Sequence, residues 1–269
     1  MKFTLLAPAL LGATVLAAPK GHGLAARAAG RSRLSHPRIP ASSEAIEGVE
    51  SPNKTNVDYS SNWSGAVLTA PPSGTTFTSV SAEFTVPTPK PVNGQAGSSS
   101  AWVGIDGDTY SNAILQTGID FSVTASGEAS FDAWYEWYPD YAYDFSGISI
   151  SAGDKISVSV VSKSSSAGTA TIENLTNGDK VTKSLTAPDS SSTLGGQNAE
   201  WIVEDFEEGS SLVTLDNFGT VTFTGASAGL SDGSSVGTGG ADIIDLKQNN
   251  KVLTSVTVPS SSEVVVKYV

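Results

Sequence analysis

The sequence predicts an all-β fold, an antiparallel β-sandwich or jelly roll. From about Thr55 to Val269, short runs alternate apolar residues with hydroxyl or charged residues, as half-buried antiparallel strands do. The clearest runs are TFTSVSAEFTVP, ISISAGDKISVSVVS, GTATIENLTNGDKVTKSLT, VTFTGASA and SEVVVKYV. Asn177-Gly178-Asp179 separates two alternating stretches and is a hairpin-turn signal. No run has the period and length of a helix, so about 215 residues of strand fit one domain better than two.

The composition excludes several classes of catalytic site. The chain has no cysteine, and its two histidines and four arginines all lie in the first forty residues. The remainder therefore cannot form a Ser-His-Asp triad, a Cys-His pair or a His-ligated zinc site. Carboxylates, amides, hydroxyls and a few lysines are left for catalysis, and the sequence predicts no cofactor and no metal. The residues confined to the N-terminus are His22, His36, Arg27, Arg31, Arg33 and Arg38.

The charge of the chain limits its partners. From Ser51 onward nine lysines stand against 24 carboxylates, which gives a formal charge of 9 − 24 = −15. Nucleic acids and anionic membranes both need a basic footprint on the protein, so neither is expected as a partner. Nothing in the sequence signals a subunit interface, and a monomer is the default expectation.

Residues 1–18 have the pattern of a signal peptide. Lys2 supplies a positive charge, the apolar stretch Phe3–Leu16 is too short to span a bilayer, and small residues end it at Ala17-Ala18. This pattern predicts a secreted, extracellular protein. Three sequons would then allow N-glycosylation; their asparagines are Asn53, Asn62 and Asn174.

Residues 19–54 are rich in Arg, Ala, Gly, Ser and Pro and have almost no apolar periodicity. Such a segment cannot bury a core by itself, so it is either a disordered linker or a propeptide removed after secretion. Its basic residues complement the acidic remainder, which favours a propeptide that lies against an acidic cleft. The predicted organisation is a signal peptide at 1–18, a basic propeptide at 19–54 and a β-sandwich domain at 55–269.

Strand parity gives FDAWYEWYP, residues 131–139, two different faces. Residues two apart share a face, and Phe131, Ala133, Tyr135 and Trp137 form one that suits a core. The other face alternates two carboxylates with two aromatics, and it either lines a groove or is an ordinary sheet surface. Its residues are Asp132, Trp134, Glu136 and Tyr138.

ILQTGID, residues 114–120, resembles the Asp-Thr-Gly turn of aspartic proteases with Gln116 in place of the aspartate. An amide cannot be a general base, so Gln116 is either a structural residue or has a different task in catalysis. Parity places Gln116 and Asp120 on one face of their strand. It also places Trp102, Asp106 and Asp108 together if AWVGIDGD stays extended past its glycines.

NAEWIVEDFEE, residues 198–208, contributes a second candidate group. Glu200, Ile202 and Glu204 share one face of the predicted strand. A glutamate between apolar neighbours is either a solvated outward residue or an inward one with a raised pKa that is held for chemistry. The opposite face carries Ala199, Trp201, Val203 and Asp205.

Six stretches, in this order and at this spacing, resemble the glutamic peptidases of filamentous fungi, which are also called eqolisins. They are SNWSGAV, AWVGIDGDT, AILQTGID, FDAWYEWYPD, FSGISISAGD and NAEWIVEDFEE, and the resemblance runs from about Ser61 to the final VVVKYV. It implies a sandwich of two antiparallel sheets, of the concanavalin or jelly-roll type, with a substrate groove on a concave face. It also implies an acid endopeptidase that acts on proteins and peptides. With the propeptide predicted at residues 19–54, such an enzyme would be a zymogen inhibited by its own leader.

The resemblance implies particular site residues. The glutamine of L-Q-T-G and the glutamate of A-E-[WF]-I are the catalytic pair of that family, and they match Gln116 and Glu200. The position after DGDT is often cysteine in the family but is Tyr110 here, so a disulfide at that loop is absent. The residues that match the substrate-binding groove are Trp102, Asp106, Asp120, Asp132, Trp134, Glu136 and Tyr138.

A chemical role follows for each member of the pair. Glu200 would take a proton from water and return it to the leaving nitrogen, while Gln116 orients the water and donates an N–H to the oxyanion. Crowded carboxylates also predict a protein more stable at about pH 4 than at pH 8. Two rival functions stay open: a glycosidase that uses Glu136 and Glu200, and a carbohydrate-binding lectin. An aspartic protease is least expected, because the chain lacks Asp-Thr-Gly and Asp-Ser-Gly.

Overall fold

The computed structural model describes residues 33–41 and 57–269, and this part of the chain contains twenty strands and no helix. The strands are β1 (Arg33–Leu34), β2 (Val57–Ser60), β3 (Trp63–Leu68), β4 (Phe77–Thr85), β5 (Gly97–Ile105), β6 (Ile114–Val123), β7 (Ala129–Tyr138), β8 (Tyr143–Asp144), β9 (Lys155–Ser164), β10 (Ala167–Asn174), β11 (Lys180–Thr186), β12 (Ala199–Glu204), β13 (Glu207–Glu208), β14 (Ser211–Leu212), β15 (Thr220–Leu230), β16 (Ser235–Val236), β17 (Asp242–Gln248), β18 (Lys251–Val252), β19 (Thr254–Ser260) and β20 (Glu263–Tyr268). The predicted signal peptide and most of the predicted propeptide lie outside the described residues.

Two large sheets and one small three-stranded sheet, in the order β1-β13-β14, make up the fold. One large sheet has nine strands in the order β18-β17-β3-β12-β5-β6-β7-β8, with β2 also pairing with β17, and the other has eight in the order β11-β10-β9-β4-β15-β20-β19, with β16 beside β15. Adjacent strands are antiparallel except β2, which runs parallel to β17. In the described residues no helix is long and apolar enough to cross a membrane. The predicted all-β, antiparallel sandwich is confirmed.

The core lies between the two sheets and is built from alternate residues of their strands. Strand β10, for example, alternates partly buried residues with buried ones, and its buried Ala170 and Ile172 belong to the core. Phe84, Phe121 and Phe223 come from both sheets and meet edge to face, with ring centroids 5.6 and 6.4 Å apart. Each buried phenylalanine contributes about 1.5–3 kcal/mol through the area it removes from water. The alternate apolar residues of the strands therefore hold the two sheets together.

The local predictions have mixed outcomes. The turn at Asn177-Gly178 joins β10 to β11 as predicted, and Gly178 has the positive φ of 85° that favours glycine. The expectation that ISISAGD continues the next strand is wrong, because residues 148–154 form an irregular segment that ends in a turn with Gly153 at φ 87°. Ile148 and Ile150 still pack on the core from this segment. The apolar alternation here therefore reflects burial of side chains and not hydrogen bonding to a neighbouring strand.

Candidate active site

Four neighbouring strands of the nine-stranded sheet bring the candidate groups into one row on its outer face. Glu200 on β12 lies opposite Gly104 on β5, Gly104 lies opposite Gln116 on β6, and Gln116 lies opposite Glu136 on β7. Directly paired residues of antiparallel strands point to the same side, so the three side chains share this face. The sheet thus joins residues that are up to 96 positions apart in the chain.

Gly104 leaves room between the two candidate catalytic side chains. A Cβ atom at this position would lie 2.8 Å from Glu200 Oε1 and 3.4 Å from Gln116 Cβ, so the carboxylate leans over the glycine toward the amide. Glu200 and Gln116 are both completely buried. Within the described part of the chain, none of their four side-chain polar atoms has a hydrogen-bond partner. Buried polar groups are normally paired, so this pair is held ready for a further partner.

The next row of the same face is aromatic. Trp102 and Trp134 are fully buried on either side of Gly118, where a Cβ would come within 2.5 Å of Trp102 Cβ. Trp102 donates its indole N–H to Glu204 Oε2 at 3.0 Å, and Trp134 donates to Ser100 Oγ at 3.0 Å. Both tryptophans therefore form the floor of the face with their polar edges satisfied.

A third row carries further acids. Asp120 on β6 is buried and pairs with Asp132 on β7, which is partly buried. Tyr138 lies at the end of β7, and its ring is 6.0 Å from the ring of His36. Residues 132, 134, 136 and 138 lie on one side of β7 and are buried or partly buried, so this side is not an ordinary exposed surface in the described structure.

Asp106 departs from the expected extended path. Strand β5 ends at Ile105, and Asp106 takes a left-handed conformation with φ of 68°. Its carboxylate accepts four backbone N–H groups, from residues 195–198, at 2.7–3.2 Å. The side-chain amide oxygen of Asn198, Oδ1, in turn accepts the N–H groups of residues 108–110 at 2.9–3.1 Å. Asp106 and Asn198 therefore hold together two loops, one formed by the residues after β5 and the other by residues 195–198, which precede Glu200. This pair of contacts is called the clasp below.

Tyr110 adds a third tie at the same place. Its ring packs on Gly195, where a Cβ would lie 2.8 Å from two ring atoms, and its hydroxyl donates to the Thr193 carbonyl at 2.8 Å. An aromatic contact and a hydrogen bond here hold the loop for which the sequence offers no disulfide.

Burial controls the electrostatics of the site. It raises the pKa of Glu200 well above the usual 4.5, and Asp106 and Asp108 raise that pKa further by their charge. It also raises the pKa of Glu136 well above its usual value, against the lowering effect of the Arg33 guanidinium. The pKa of Glu204 rises to about 7 for the same reason, although Arg33 opposes it. Neutral carboxyls are consequently the favoured form of this buried row in acid.

The described part of the predicted propeptide lies on this face. Arg33 makes a bidentate pair with Asp120, with both N···O distances 2.7 Å, and its Nη1 is 3.6 Å from Glu136 Oε2. The guanidinium carbon sits 4.0 Å from the ring centroid of Trp134 and 4.5 Å from that of Phe206. Planar stacking together with two parallel hydrogen bonds suits arginine in a way that lysine could not reproduce.

The rest of this segment continues across the sheet. The Ser35 N–H donates to Glu136 Oε2 at 3.3 Å, and the His36 N–H donates to Glu204 Oε1 at 3.2 Å. The His36 imidazole pairs with Glu207, and Arg38 pairs with Asp108. Residues 33–41 thus cover the candidate site, yet no hydrogen bond from this described segment reaches Gln116 or Glu200.

Two of the glycosylation candidates are buried in the folded structure. Asn62 is completely buried, and its amide nitrogen faces the carbonyl oxygens of His36 and Pro37 at 3.3–3.4 Å. Asn174 is also buried, and its amide nitrogen donates to Ser149 O and Asp154 Oδ2 at 2.8–2.9 Å. A glycan on either nitrogen would displace these bonds. Asn53 lies outside the described residues.

The Peptidase A4 family profile matches residues 61–268. The chain belongs to this family. Aspergillopepsin-2 of Aspergillus niger is 47% identical over 294 aligned residues, which cover 100% of both chains. Scytalidopepsin B of Scytalidium lignicola is 42% identical over 97% of this chain and 98% of its own. The crystal structure of scytalido-glutamic peptidase with a transition state analog inhibitor superimposes with a TM-score of 0.69 at 44% identity, covering 78% of this chain and 98% of that one.

These matches confirm the predicted resemblance to the fungal glutamic peptidases and the prediction of a peptide-bond hydrolase. The geometry of the A4 peptidase also disfavours the glycosidase. Glu200 and Glu136 lie on strands β12 and β7, three strand spacings of about 4.8 Å apart, with Gln116 between them. Two glycosidase carboxylates need a separation of about 5–9.5 Å with the sugar between them.

A separate cavity of about 770 Å³ lies at one edge of the A4 peptidase and contains none of the predicted site residues. Residues 33–41 contact Asp120, Glu136 and Glu204 on the face that carries the candidate site. Sequence reasoning missed Gly104, Ser100 and Phe206, which shape this face. Glycine within a strand pattern signals close approach of another group, and that signal was available at Gly104.

Proposed function

We propose that this chain is a secreted endopeptidase that works in acid, with Glu200 and Gln116 as its catalytic residues. The observation that carries the proposal is the buried, unpaired carboxylate and amide that flank Gly104. A buried acid and a buried amide without partners cost stability, so their retention points to a role in chemistry.

The two groups divide the work of peptide hydrolysis. Ionised Glu200 takes a proton from the attacking water and later gives it to the leaving nitrogen. Gln116 accepts a hydrogen bond from that water through Oε1 and donates its N–H to the oxyanion of the tetrahedral intermediate. A carboxylate in place of Gln116 could not donate once ionised, which explains why an amide occupies a position where a carboxylate would look more natural.

The raised pKa of Glu200 belongs to the covered state. Burial contributes most to the rise, so the carboxyl is neutral in acid while residues 33–41 lie over it. Removal of the segment would let water reach Glu200 and lower its pKa toward the acid range in which a carboxylate can act as a base. Maturation would therefore both open the site and activate the base.

The segment itself is proposed to be an inhibitory propeptide. Arg33 anchors it to Asp120 and Glu136, while no hydrogen bond from the described segment reaches the catalytic pair. A chain that is bound without presenting a peptide bond to the pair blocks the groove and escapes cleavage.

Arg33 provides the test of inhibition. Charge-assisted hydrogen bonds contribute about 1.5–3 kcal/mol each and Arg33 makes two to Asp120, so losing this anchor by Arg33→Ala should shorten the lag before self-processing by about a hundredfold or more. Arg33→Lys keeps the charge but not the bidentate fork, and should give an intermediate lag. The lag is measured by gel analysis after acidification of the purified full chain, and an unchanged lag in Arg33→Ala contradicts the anchor.

The test of the peptidase is digestion of an unfolded protein substrate at about pH 3.5, where a glutamate near its ordinary pKa is partly ionised. Matured wild type should cut, Glu200→Gln should not, and Gln116→Ala should be about 10²–10³ times slower. The exposed change Glu128→Gln is the matched control. Cleavage by folded Glu200→Gln, or no cleavage by confirmed mature wild type, would reject the proposal.

The signal at residues 1–18 supports the secretion part of the proposal. Expression of the full chain in a fungal host should place the protein in the medium with residues 1–18 removed. Mass spectrometry of the intracellular and extracellular fractions checks this, and retention of the complete chain inside cells would contradict it.

A further inference from the structure

Glu136 lies beside Gln116 in the row formed with Gly104 and Glu200, and the proposed mechanism gives it no role. The two residues are a direct pair of β6 and β7, so their Cβ atoms are about 4.5–5.5 Å apart. Glu136 is completely buried, and within the described residues its Oε1 has no hydrogen-bond partner, as is also true of both polar atoms of Gln116. Three unpaired polar atoms therefore lie on adjacent strands in a space closed to solvent.

The amide group of Gln116 can adopt two orientations that differ by a 180° flip. The oxygen and nitrogen are similar in size, so packing alone does not select between them, and the proposed chemistry works only if the N–H faces the oxyanion. A group that donates to Oε1, and cannot accept from Nε2 equally well, would fix that choice. A neutral carboxyl is such a donor, whereas an ionised carboxylate can only accept and would attract Nε2 the wrong way.

We infer that Glu136 is a positioning residue for Gln116. In its neutral form Glu136 donates its O–H to Gln116 Oε1, directly or through one water, and turns Nε2 toward the space above Gly104. Oε1 has two lone pairs, so it can accept from Glu136 and from the attacking water together. This inference rests on the proposed function of Gln116 and assigns the group that orients it.

In the covered state two contacts from residues 33–41 oppose the neutral form of Glu136, although burial still raises its pKa well above the usual value. Arg33 Nη1 lies 3.6 Å from Glu136 Oε2, and the Ser35 N–H donates to the same oxygen at 3.3 Å. Both contacts favour the anion and are lost when the segment leaves. Glu204 and Asp120, whose charges raise the pKa of Glu136, stay in the mature enzyme.

The remaining neighbour on the same strand carries no charge in acid. Tyr138 is partly buried at the end of β7, and burial first, then the charge of Glu136, raises the tyrosine pKa, so its hydroxyl stays neutral. Loss of the segment would remove both contacts to Oε2 and would also let water reach Glu136. The carboxyl would then be neutral, and a donor available to Gln116, only in acid.

The experiment compares matured wild type with Glu136→Gln and Glu136→Leu. The values of kcat and KM for one peptide substrate are measured from pH 2 to 7, with near-ultraviolet circular dichroism at each pH to limit the profile to folded enzyme. Glu128→Gln removes an exposed charge elsewhere and serves as the matched control. Glu200→Gln is included to test the proposed function separately.

Glutamine donates at every pH, so Glu136→Gln should move the alkaline limb of the kcat profile upward by about one pH unit or more, since that limb reports the acid that must stay protonated. Glu136→Leu should lower kcat about tenfold or more with KM within about twofold, because the lost interaction acts in the transition state. If the leucine variant does not fold, the alkaline limb of Glu136→Gln alone decides.

An alkaline limb in Glu136→Gln that coincides with wild type would overturn the inference, and so would a wild-type kcat in folded Glu136→Leu. If these variants match wild type while Glu200→Gln is inactive, only the positioning role fails. If Glu200→Gln remains active, the proposed catalytic pair fails as well.

Discussion

This protein should lose stability as the pH rises from about 4 to 7, and replacing Asp216 with asparagine should prevent much of that loss. Asp216 is completely buried, and neither of its carboxylate oxygens makes a well-formed hydrogen bond within the described part of the chain. Burial raises the pKa of Asp216 to about 7, although the Ser99 hydroxyl lowers it. Asp205 nearby also reaches a pKa of about 7, by burial first and then by the charges of Glu204 and Asp216.

The magnitude follows from the two states of the chain. Unfolded Asp216 ionises near its ordinary pKa of 3.8, whereas the folded residue keeps its proton to about pH 7. The folded state binds more protons over this interval, so the free energy of unfolding falls as pH rises through it and levels off above. At about 1.36 kcal/mol per pKa unit the fall is about 4 kcal/mol for Asp216 alone.

The assay is urea unfolding followed by tryptophan fluorescence between pH 4 and pH 8, since all five tryptophans are buried. Wild type and Asp216→Asn are both examined with Glu200→Gln, which prevents self-digestion if the proposed function is correct. Asparagine cannot ionise, so the two proteins should be similar at pH 4 and the variant should be about 4 kcal/mol more stable at pH 8, by the linkage above. Parallel curves would refute the assignment of this pH dependence to Asp216.

Three other substitutions probe the geometry around the site. Gly104→Ala puts a methyl 2.8 Å from Glu200 Oε1 and should lower kcat/KM about 100-fold, whereas Gly239→Ala, with its nearest neighbour at 3.9 Å, should leave it unchanged in the same peptide assay. Asp106→Asn faces backbone N–H groups with an amide and should cost about 1–3 kcal/mol in urea unfolding, and an unaltered midpoint would argue against the clasp. Tyr110→Phe loses one hydrogen bond and should cost about 0.5–1.5 kcal/mol by thermal unfolding; no change would mean that ring packing alone suffices.

The sequence predicts the fold class and the faces of its strands because both depend on local alternation. Trp134 and Glu136 lie on the outer face of β7, as parity requires, while Ala133 and Trp137 lie in the core. The order of strands in the sheets has no local signal, since β12 inserts between β3 and β5 through contacts distant in the chain. Parity also failed at Asp106, where a left-handed residue ends the strand.

The sequence predicts which residues belong to the candidate site but not whether they are exposed or buried. Periodicity left open whether Glu200 is solvated or buried, and in the structure the residue is fully buried. The carboxylate lies close to Gly104, and residues 33–41 bind to Glu136 and Glu204 on the same face. Neither neighbour is adjacent to Glu200 in sequence, so no local pattern could reveal them.

The separation of charge along the chain acquires a physical meaning at this face. Arg33 and Arg38 belong to the basic leader, and each reaches acids of the following domain. Lysine is the only cationic residue in the rest of the chain, because arginine and histidine are confined to the leader. In this structure Arg33 of the leader supplies a cation that compensates the buried acids Asp120 and Glu136. Under the proposed function the loss of this segment would remove that cation, and protonation in acid would then neutralise these acids, which would couple opening of the site to the pH at which it works.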